Sequence, residues 1–477
     1  MTLVKTPLWF KRKCLYCDHH ENKTDYNSVH FDEDWKNQYR VIDLELNPSK
    51  GKSEIIESFN NYDFESPQGL LQYKALPNRH QASPMSMHVG ATPLFQLDQF
   101  SHHYSTNLYV KAEGFNPSGC FKDRETIMCL LNALDEGHDK AVIYSSGNAA
   151  SSAAIFAQAN NMHLITFVSG DTYPEKIDYI RAHGSDVIVI GDKATNFEEG
   201  YRMFCKIRSG GYFIQHGYDN WSVTNPFRVQ GDKTIALEII HQLSEGSDSW
   251  QVPDYVIIPT ANGSCMAGVW KGFQELYDLK IIDKLPKMIS VGIKNANPVF
   301  KAIQQGQFQK PVICDISKLD EDDAQIGSII LAEEGYDSIE AAKSVVESGG
   351  TAVEVDRHDI EYMYHHLLQD EKELVEKNNL VPEPASLISI AAVEHIKSKY
   401  NLGRETKVVS VITGSGFKAR KKIREIMVDD PQNLAVAEEA LDARMKNQYP
   451  KATEAGKKMI VPADLTAVSR AFDKMKR

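Results

Sequence analysis

Between about residues 105 and 428 the chain alternates short β-branched or apolar runs with longer stretches of helical spacing, and no other feature narrows its fold so far. Runs this short and rich in Val and Ile read as buried strands, and a helix-length connection between successive strands suits parallel pairing rather than hairpins. The pattern predicts strands over Leu108 to Glu113, Ala141 to Tyr144, Leu164 to Val168, Asp186 to Ile190, Tyr255 to Ile258, Met288 to Ile293 and Val408 to Thr413. The expected fold class is therefore α/β, with open, mostly parallel sheets flanked by helices.

With 477 residues and 42% hydrophobic content, the chain can bury two cores. Residues 1–90, rich in Asn, Asp, His and Tyr, read as a loosely structured lead-in. Residues 91–430 read as the catalytic core, with a smaller subdomain over about 135–220 inserted in it, and 431–477 as a helical carboxy-terminal extension. That extension would cover the core, join a dimer contact or stand as a solvated appendage. A formal charge of −12 and a pI near 5.8 leave no broad basic face, which argues against nucleic acid or an anionic membrane as partner. A small-molecule ligand is expected, and a homodimer is the expected assembly. No stretch approaches the roughly 20 apolar residues of a membrane span, and the amino terminus lacks the order of a secretory leader, so the expected address is cytoplasmic. Five cysteines (Cys120, Cys129, Cys205, Cys265 and Cys314) stand singly and read as reduced thiols. Cys14 and Cys17, followed by His19 and His20, offer ligands for a metal, but a closed zinc site would want a second pair. They read as a polar surface turn, and no metal is expected.

Four strand-to-helix junctions carry unusual residues. In Asn116-Pro-Ser-Gly-Cys-Phe-Lys122-Asp-Arg124, Pro and Gly break the strand and Lys122 falls in the first turn of a helix. The positive end of the helix dipole disfavours a charged lysine there and favours the neutral amine that a Schiff base requires. The alternative is a surface lysine paired with Asp123. In Ser145-Ser146-Gly147-Asn148-Ala149, small residues let backbone N–H groups at a helix start reach a carboxylate, while the Asn148 amide can donate to a phenolate oxygen; a plain helix cap would look the same. Thr260-Ala261-Asn262-Gly263-Ser264-Cys265 has the chemistry of a phosphate cradle, although many helix starts share it. Thr413-Gly-Ser-Gly416 puts a hydroxyl at a strand end, where it can meet a ring nitrogen, or else forms only a tight turn.

Together, and in this order, the four loops resemble those of threonine synthase and its relatives in the second structural class of pyridoxal-phosphate (PLP) enzymes, over roughly residues 90 to 425. Glu383-Pro-Ala-Ser386 adds a fifth match, and Asn225 to Thr234 is similar to a stretch of threonine synthases that related dehydratases usually lack. The resemblance implies fold type II and pyridoxal 5'-phosphate as cofactor, held covalently by Lys122, which also moves protons at the substrate's carbons. It implies that Asn148 meets the phenolate oxygen, that Ala261, Asn262, Gly263, Ser264 and Cys265 hold the cofactor phosphate, and that Thr413 faces the pyridine nitrogen. For the substrate it implies Ser145, Ser146 and Ala149 at the carboxylate, and Asn225 and Arg228 at a phosphate, with a structural ion pair as the alternative for Arg228.

Three positions depart from the family pattern: Ala149 replaces Thr, Cys120 replaces Ser, and Glu125 replaces Gly. A lost hydroxyl at Ala149 forfeits about 1.5–3 kcal/mol if it bonded a charged group, enough to redirect specificity. The expected activity is a carbon–oxygen lyase of amino-acid biosynthesis, converting O-phosphohomoserine and water to threonine and phosphate. One alternative eliminates phosphate from O-phosphoserine and adds another nucleophile, as cysteate-synthase-like enzymes do. A cofactor-binding scaffold without catalysis is the other, and retention of Lys122, Asn148 and Thr413 argues against it.

Overall fold

The structure, a computed structural model, describes residues 10–14, 20–21, 42–47, 50–77, 88–309, 311–316, 319, 335–445 and 454–476. Its strands are β1 (Phe10–Cys14), β2 (His20–Glu21), β3 (Ile42–Leu46), β4 (Leu94–Gln96), β5 (Asn107–Ala112), β6 (Lys140–Tyr144), β7 (His163–Ser169), β8 (Asp186–Ile190), β9 (Tyr218–Asn220), β10 (Tyr255–Pro259), β11 (Lys287–Ile293), β12 (Thr351–Val355), β13 (Lys407–Ile412) and β14 (Lys458–Val461). The helices that bear on the site are α1 (Lys122–Asp135), α2 (Asn148–Ala159), α3 (Phe227–Asp232), α4 (Ser264–Asp278), α5 (Ser338–Glu347), α6 (Ile388–Tyr400), α7 (Pro431–Met445) and α8 (Leu465–Met475). The chain divides into two compact units, the first from residues 1–89, 122–231 and 449–477, the second from 90–121 and 232–448.

The first unit is built on a five-stranded sheet in the order β14-β8-β7-β6-β9, in which every pair is parallel. β7 is buried from Leu164 on and β8 throughout, and burial on both sides leaves no room for the polar alternation of a half-exposed strand. The carboxy-terminal segment is not helical throughout: β14 pairs with β8 from Lys458 opposite Val187 to Val461 opposite Ile190. Helix α8 then lays Phe472 against the rings of Phe213 and Tyr218, each centroid 5.0 Å away. In the lead-in, β1 pairs antiparallel with both β2 and β3. The buried Gln230 of α3 donates its Nε2 hydrogens to Asp43 Oδ1 at 3.2 Å and the Leu44 carbonyl at 3.1 Å, tying α3 to β3.

The second unit carries a six-stranded sheet in the order β12-β11-β10-β13-β5-β4, parallel except for β4, which runs against β5. Its core runs from Leu108 and Val110 of β5 through Ile257, Ile289 and Val291 to Ile388, Ala392 and Ile396 of α6 and Leu441 of α7. Within it, the fully buried Lys111 donates to Glu238 Oε2 at 2.7 Å, the Gln242 amide oxygen at 2.9 Å and the Thr92 carbonyl, so its charge is both paired and hydrogen-bonded. Two open, mostly parallel sheets flanked by helices match the expected fold class. All seven expected strands are present with ends displaced by no more than one residue. Among the described residues no helix is long and apolar enough to cross a membrane.

Candidate active site

In parallel sheets, ligand-binding loops gather at the carboxyl ends of the strands, where helix amino termini also point. In the second unit, the loops after β10, β13 and β5 leave three neighbouring strands at that end. The first of them, Thr260 to Gly263, leads into α4, a helix of 15 residues whose N-cap is Gly263 and has no side-chain cap. Gly263 takes φ 103°, a left-handed conformation that side chains resist. An added Cβ would also lie 2.5 Å from the Asp337 carbonyl oxygen, because the loop presses against the segment that starts α5. The Asp337 N–H donates to the Asn262 carbonyl at 2.7 Å, which fixes the peptide ahead of the cap.

The loop after β13 and the loop after β5 are laced together. Phe121 N–H donates to the Thr413 carbonyl at 3.0 Å, and Ser415 N–H donates to the Gly119 carbonyl at 2.8 Å. Thr413 is buried, and its hydroxyl lies 2.8 Å from that of Ser386, which also accepts the Gly414 N–H at 3.0 Å. With that second oxygen accepting an N–H, Ser386 can give its proton to Thr413 and leave the Thr413 hydroxyl to donate, or the reverse. Glu383 N–H donates to the Gly414 carbonyl at 2.9 Å, so the Glu383-to-Ser386 motif is pinned to the same loop. Sequence reasoning marked this motif without assigning Ser386 a role; its signal was a serine at fixed spacing after Pro384. Cys120 is buried, with Sγ 3.3 Å from the Ser118 hydroxyl and 3.8 Å from Lys418 Nζ.

In the first unit, Lys122 is the first residue of α1, next in sequence to Phe121. One turn on, the buried Glu125 turns its carboxylate to the same face, with Oε1 2.6 Å from Lys122 Nζ. The other oxygen, Oε2, accepts from Arg228 Nε at 2.7 Å and from a second guanidinium nitrogen of the same residue. Arg228 is buried on α3, and that helix comes close because Gly231 has no side chain: a Cβ there would sit 1.9 Å from the Arg124 carbonyl oxygen. Asn225 is committed locally, its Nδ2 donating to the Asn220 carbonyl at 2.8 Å and its Oδ1 accepting Phe227 N–H at 3.0 Å. It shapes the turn that presents Arg228. Asp123 accepts from the Ser152 hydroxyl at 2.6 Å, joining α1 to α2, and Asn148 opens α2 behind Gly147, which supplies no side-chain cap. Ser145, Ser146 and Ala149 flank it, half-buried, and the Gly147 N–H is 3.3 Å from Ser145 Oγ. In the sequence Glu125 stands out only as a departure from Gly; its tie to Arg228 spans 103 positions, a distance no local pattern reveals.

The residues suit the cofactor that the resemblance implies. A helix start without a side-chain cap suits a phosphate dianion, a buried hydroxyl pair suits a neutral ring nitrogen, and an amine on a first turn suits a carbonyl carbon. Among the described residues no His, Cys, Asp and Glu cluster could hold a metal. Cys17 and His19 lie outside the described residues, as do the side chains of Cys14 and His20.

Comparison with known proteins agrees. The family described as "Pyridoxal-phosphate dependent enzyme" matches residues 85–414, more than half of the chain. A threonine synthase of Methanocaldococcus jannaschii is 30% identical over 360 residues, 73% of this chain and 80% of the relative. One from Methanosarcina acetivorans is 29% identical over 364 residues, 76% of this chain and 83% of the relative. Among solved structures, diaminopropionate ammonia lyase of Escherichia coli superposes with TM-score 0.55 at 14% identity, covering 80% of this chain and 93% of its own. Serine racemase of Dictyostelium discoideum gives 0.52 at 18%, covering 68% and 92%. The two structures speak for the fold alone, while the family match and the threonine synthases go further: the chain belongs to the pyridoxal-phosphate-dependent enzymes, on their threonine-synthase-like branch of fold type II.

Proposed function

We propose that the protein is a lyase that breaks the carbon–oxygen bond of a phosphorylated amino acid, converting O-phosphohomoserine and water to threonine and phosphate. The observation that carries this reading is the carboxylate of Glu125, which Lys122 Nζ and the Arg228 guanidinium both contact. An amine able to move protons and a cation able to bind phosphate in a two-pronged way are thus one carboxylate apart, the reach of a short phosphorylated side chain. Threonine synthases among its relatives point the same way.

In this reading the cofactor, when bound, supplies the electron sink that makes protons on the substrate's carbons removable. The protein does the rest. Lys122 would hold the cofactor, and its amine, when free, would take and return protons along the substrate's side chain. The backbone of Ala261 to Cys265 binds the cofactor phosphate at the start of α4. Asn148 donates to the phenolate oxygen, and Thr413, set by Ser386, meets the ring nitrogen without a charge, which suits elimination and replacement over transamination. Ser145, Ser146 and Ala149 lead the start of α2 to the substrate carboxylate, and Arg228, presented by Asn225, takes the phosphate that leaves with the electron pair of the broken bond.

A methyl at Ala149, where threonine synthases carry a hydroxyl, favours a second reading, phosphate elimination from O-phosphoserine with another nucleophile added. Phosphate release across O-phosphohomoserine, O-phosphoserine and O-phosphothreonine, each with and without added nucleophiles, separates the two. O-Phosphohomoserine turned over to threonine at the highest kcat/KM is the expected result. Release from none of the three overturns the proposal.

A further inference from the structure

After Asp-Arg, where the family pattern has Gly, this chain carries Glu125. A glycine there would bring no carboxylate to the Arg228 guanidinium. Glu125 instead engages it through Nε and a second nitrogen, with both side chains almost wholly shielded from water. A pair so buried is screened little by salt, so any anion that reaches Arg228 has to displace a carboxylate already in place.

We propose that Glu125 is a specificity-determining residue, an internal competitor that admits to Arg228 only an anion stronger than a carboxylate. The proposal rests on Arg228 as the residue that takes the substrate phosphate. A side-chain carboxylate presents the same two oxygens and single charge as Glu125 and gains nothing by replacing it. A phosphate dianion presents three oxygens and nearly twice the charge, so it wins the guanidinium from the Glu125 carboxylate. Acidic amino acids are thereby refused, and phosphorylated ones pay for entry with part of their binding energy.

The test compares the PLP-saturated wild type with Glu125→Gln, which keeps the shape and removes the charge. Inorganic phosphate binding is measured by calorimetry and by the rise in melting temperature on adding phosphate, with acetate as the monoanion. Losing one charged competitor at a charge-assisted contact should tighten phosphate binding by about ten- to a hundredfold and let acetate bind measurably. Both gains should vanish in Glu125→Gln/Arg228→Ala. Glu125→Asp, one methylene shorter and still charged, serves if the amide variant fails to fold, and should tighten phosphate binding by a smaller factor. Phosphate bound equally or more weakly by the folded variants, or a gain that survives loss of Arg228, would overturn the proposal and leave Glu125 as a helix anchor. Failure of the activity reading looks different: no phosphorylated amino acid is turned over, yet phosphate still binds Glu125→Gln more tightly through Arg228.

Discussion

Gly263→Ala tests whether the start of α4 holds the cofactor's phosphate. Alanine would have to adopt φ 103°, and its Cβ would meet the Asp337 carbonyl oxygen at 2.5 Å, the Asp337 carbonyl carbon at 2.7 Å and the Ala341 Cβ at 2.9 Å. A left-handed backbone costs a non-glycine residue about 1–2 kcal/mol, and forcing an atom into filled space adds about 1–3 kcal/mol. The backbone of Asp337 cannot swing aside as a flexible side chain would, so the loop has to move. A sum of about 2–5 kcal/mol is a large share of the roughly 5–15 kcal/mol by which a domain is stable. A shift that costs one charge-assisted hydrogen bond to the phosphate weakens cofactor affinity about ten- to a hundredfold. Gly137→Ala is the control, since Gly137 also has positive φ, 79°, but its Cβ would meet nothing within 4 Å. It should lose only the backbone term and keep wild-type affinity. Melting temperature and PLP titration followed at the visible absorbance of the bound cofactor read out both effects. If Gly263→Ala bound PLP as tightly as wild type and melted no lower than Gly137→Ala, the pressed loop would not be the phosphate site.

Two further outcomes are expected. Purified protein should absorb in the visible, and borohydride should fix the cofactor to the peptide containing Lys122; Lys122→Ala should abolish that adduct, and an adduct mapped to another lysine would refute the assignment. In the first unit, burial and then the nearby Glu136 carboxylate push the Asp219 carboxyl up to about 7, against opposing pulls from His138, the Asn220 N–H and the Trp221 indole. Its folded value lies above the unfolded value of about 3.9, so the folded state holds the extra proton and stability falls as pH rises from about 4 to about 7. Asp219→Asn should therefore gain unfolding free energy over wild type increasingly between pH 5 and 8, by up to about 4 kcal/mol, read from denaturant melts at each pH; a gap that narrows with pH would contradict the assignment.

What the sequence made legible follows from what is local in the chemistry. Strands such as Asp186–Ile190 are buried at every position and apolar from Val187 on because both faces are covered, and such runs stand out in any context. The loops at Asn148, Gly263 and Thr413 were legible because each strand end is followed within a few residues by a helix start, and the loop at Lys122 because Pro117 and Gly119 break the chain just ahead of one. Edge elements were not. β12 is only half-buried at three of its five positions, and β14, with Lys458 and Ile460 turned outward, reads as polar helix until its partner β8, some 270 residues earlier, is known. Glu125 and Arg228 were each visible, but only the close approach permitted by Gly231 joins them.

The tail has a consequence for how the protein is made. Everything the second unit needs has been synthesised by residue 448, whereas the first unit draws on residues up to 475 for β14 and α8. During synthesis β8 stands as an open sheet edge, and the rings of Phe213 and Tyr218 lack the cover of Phe472, until β14 and α8 emerge. An unpaired edge is a template for pairing with another chain. The nascent first unit is thus the part that a chaperone would have to shield, and a premature stop after α7 would leave a complete second unit attached to one prone to aggregate.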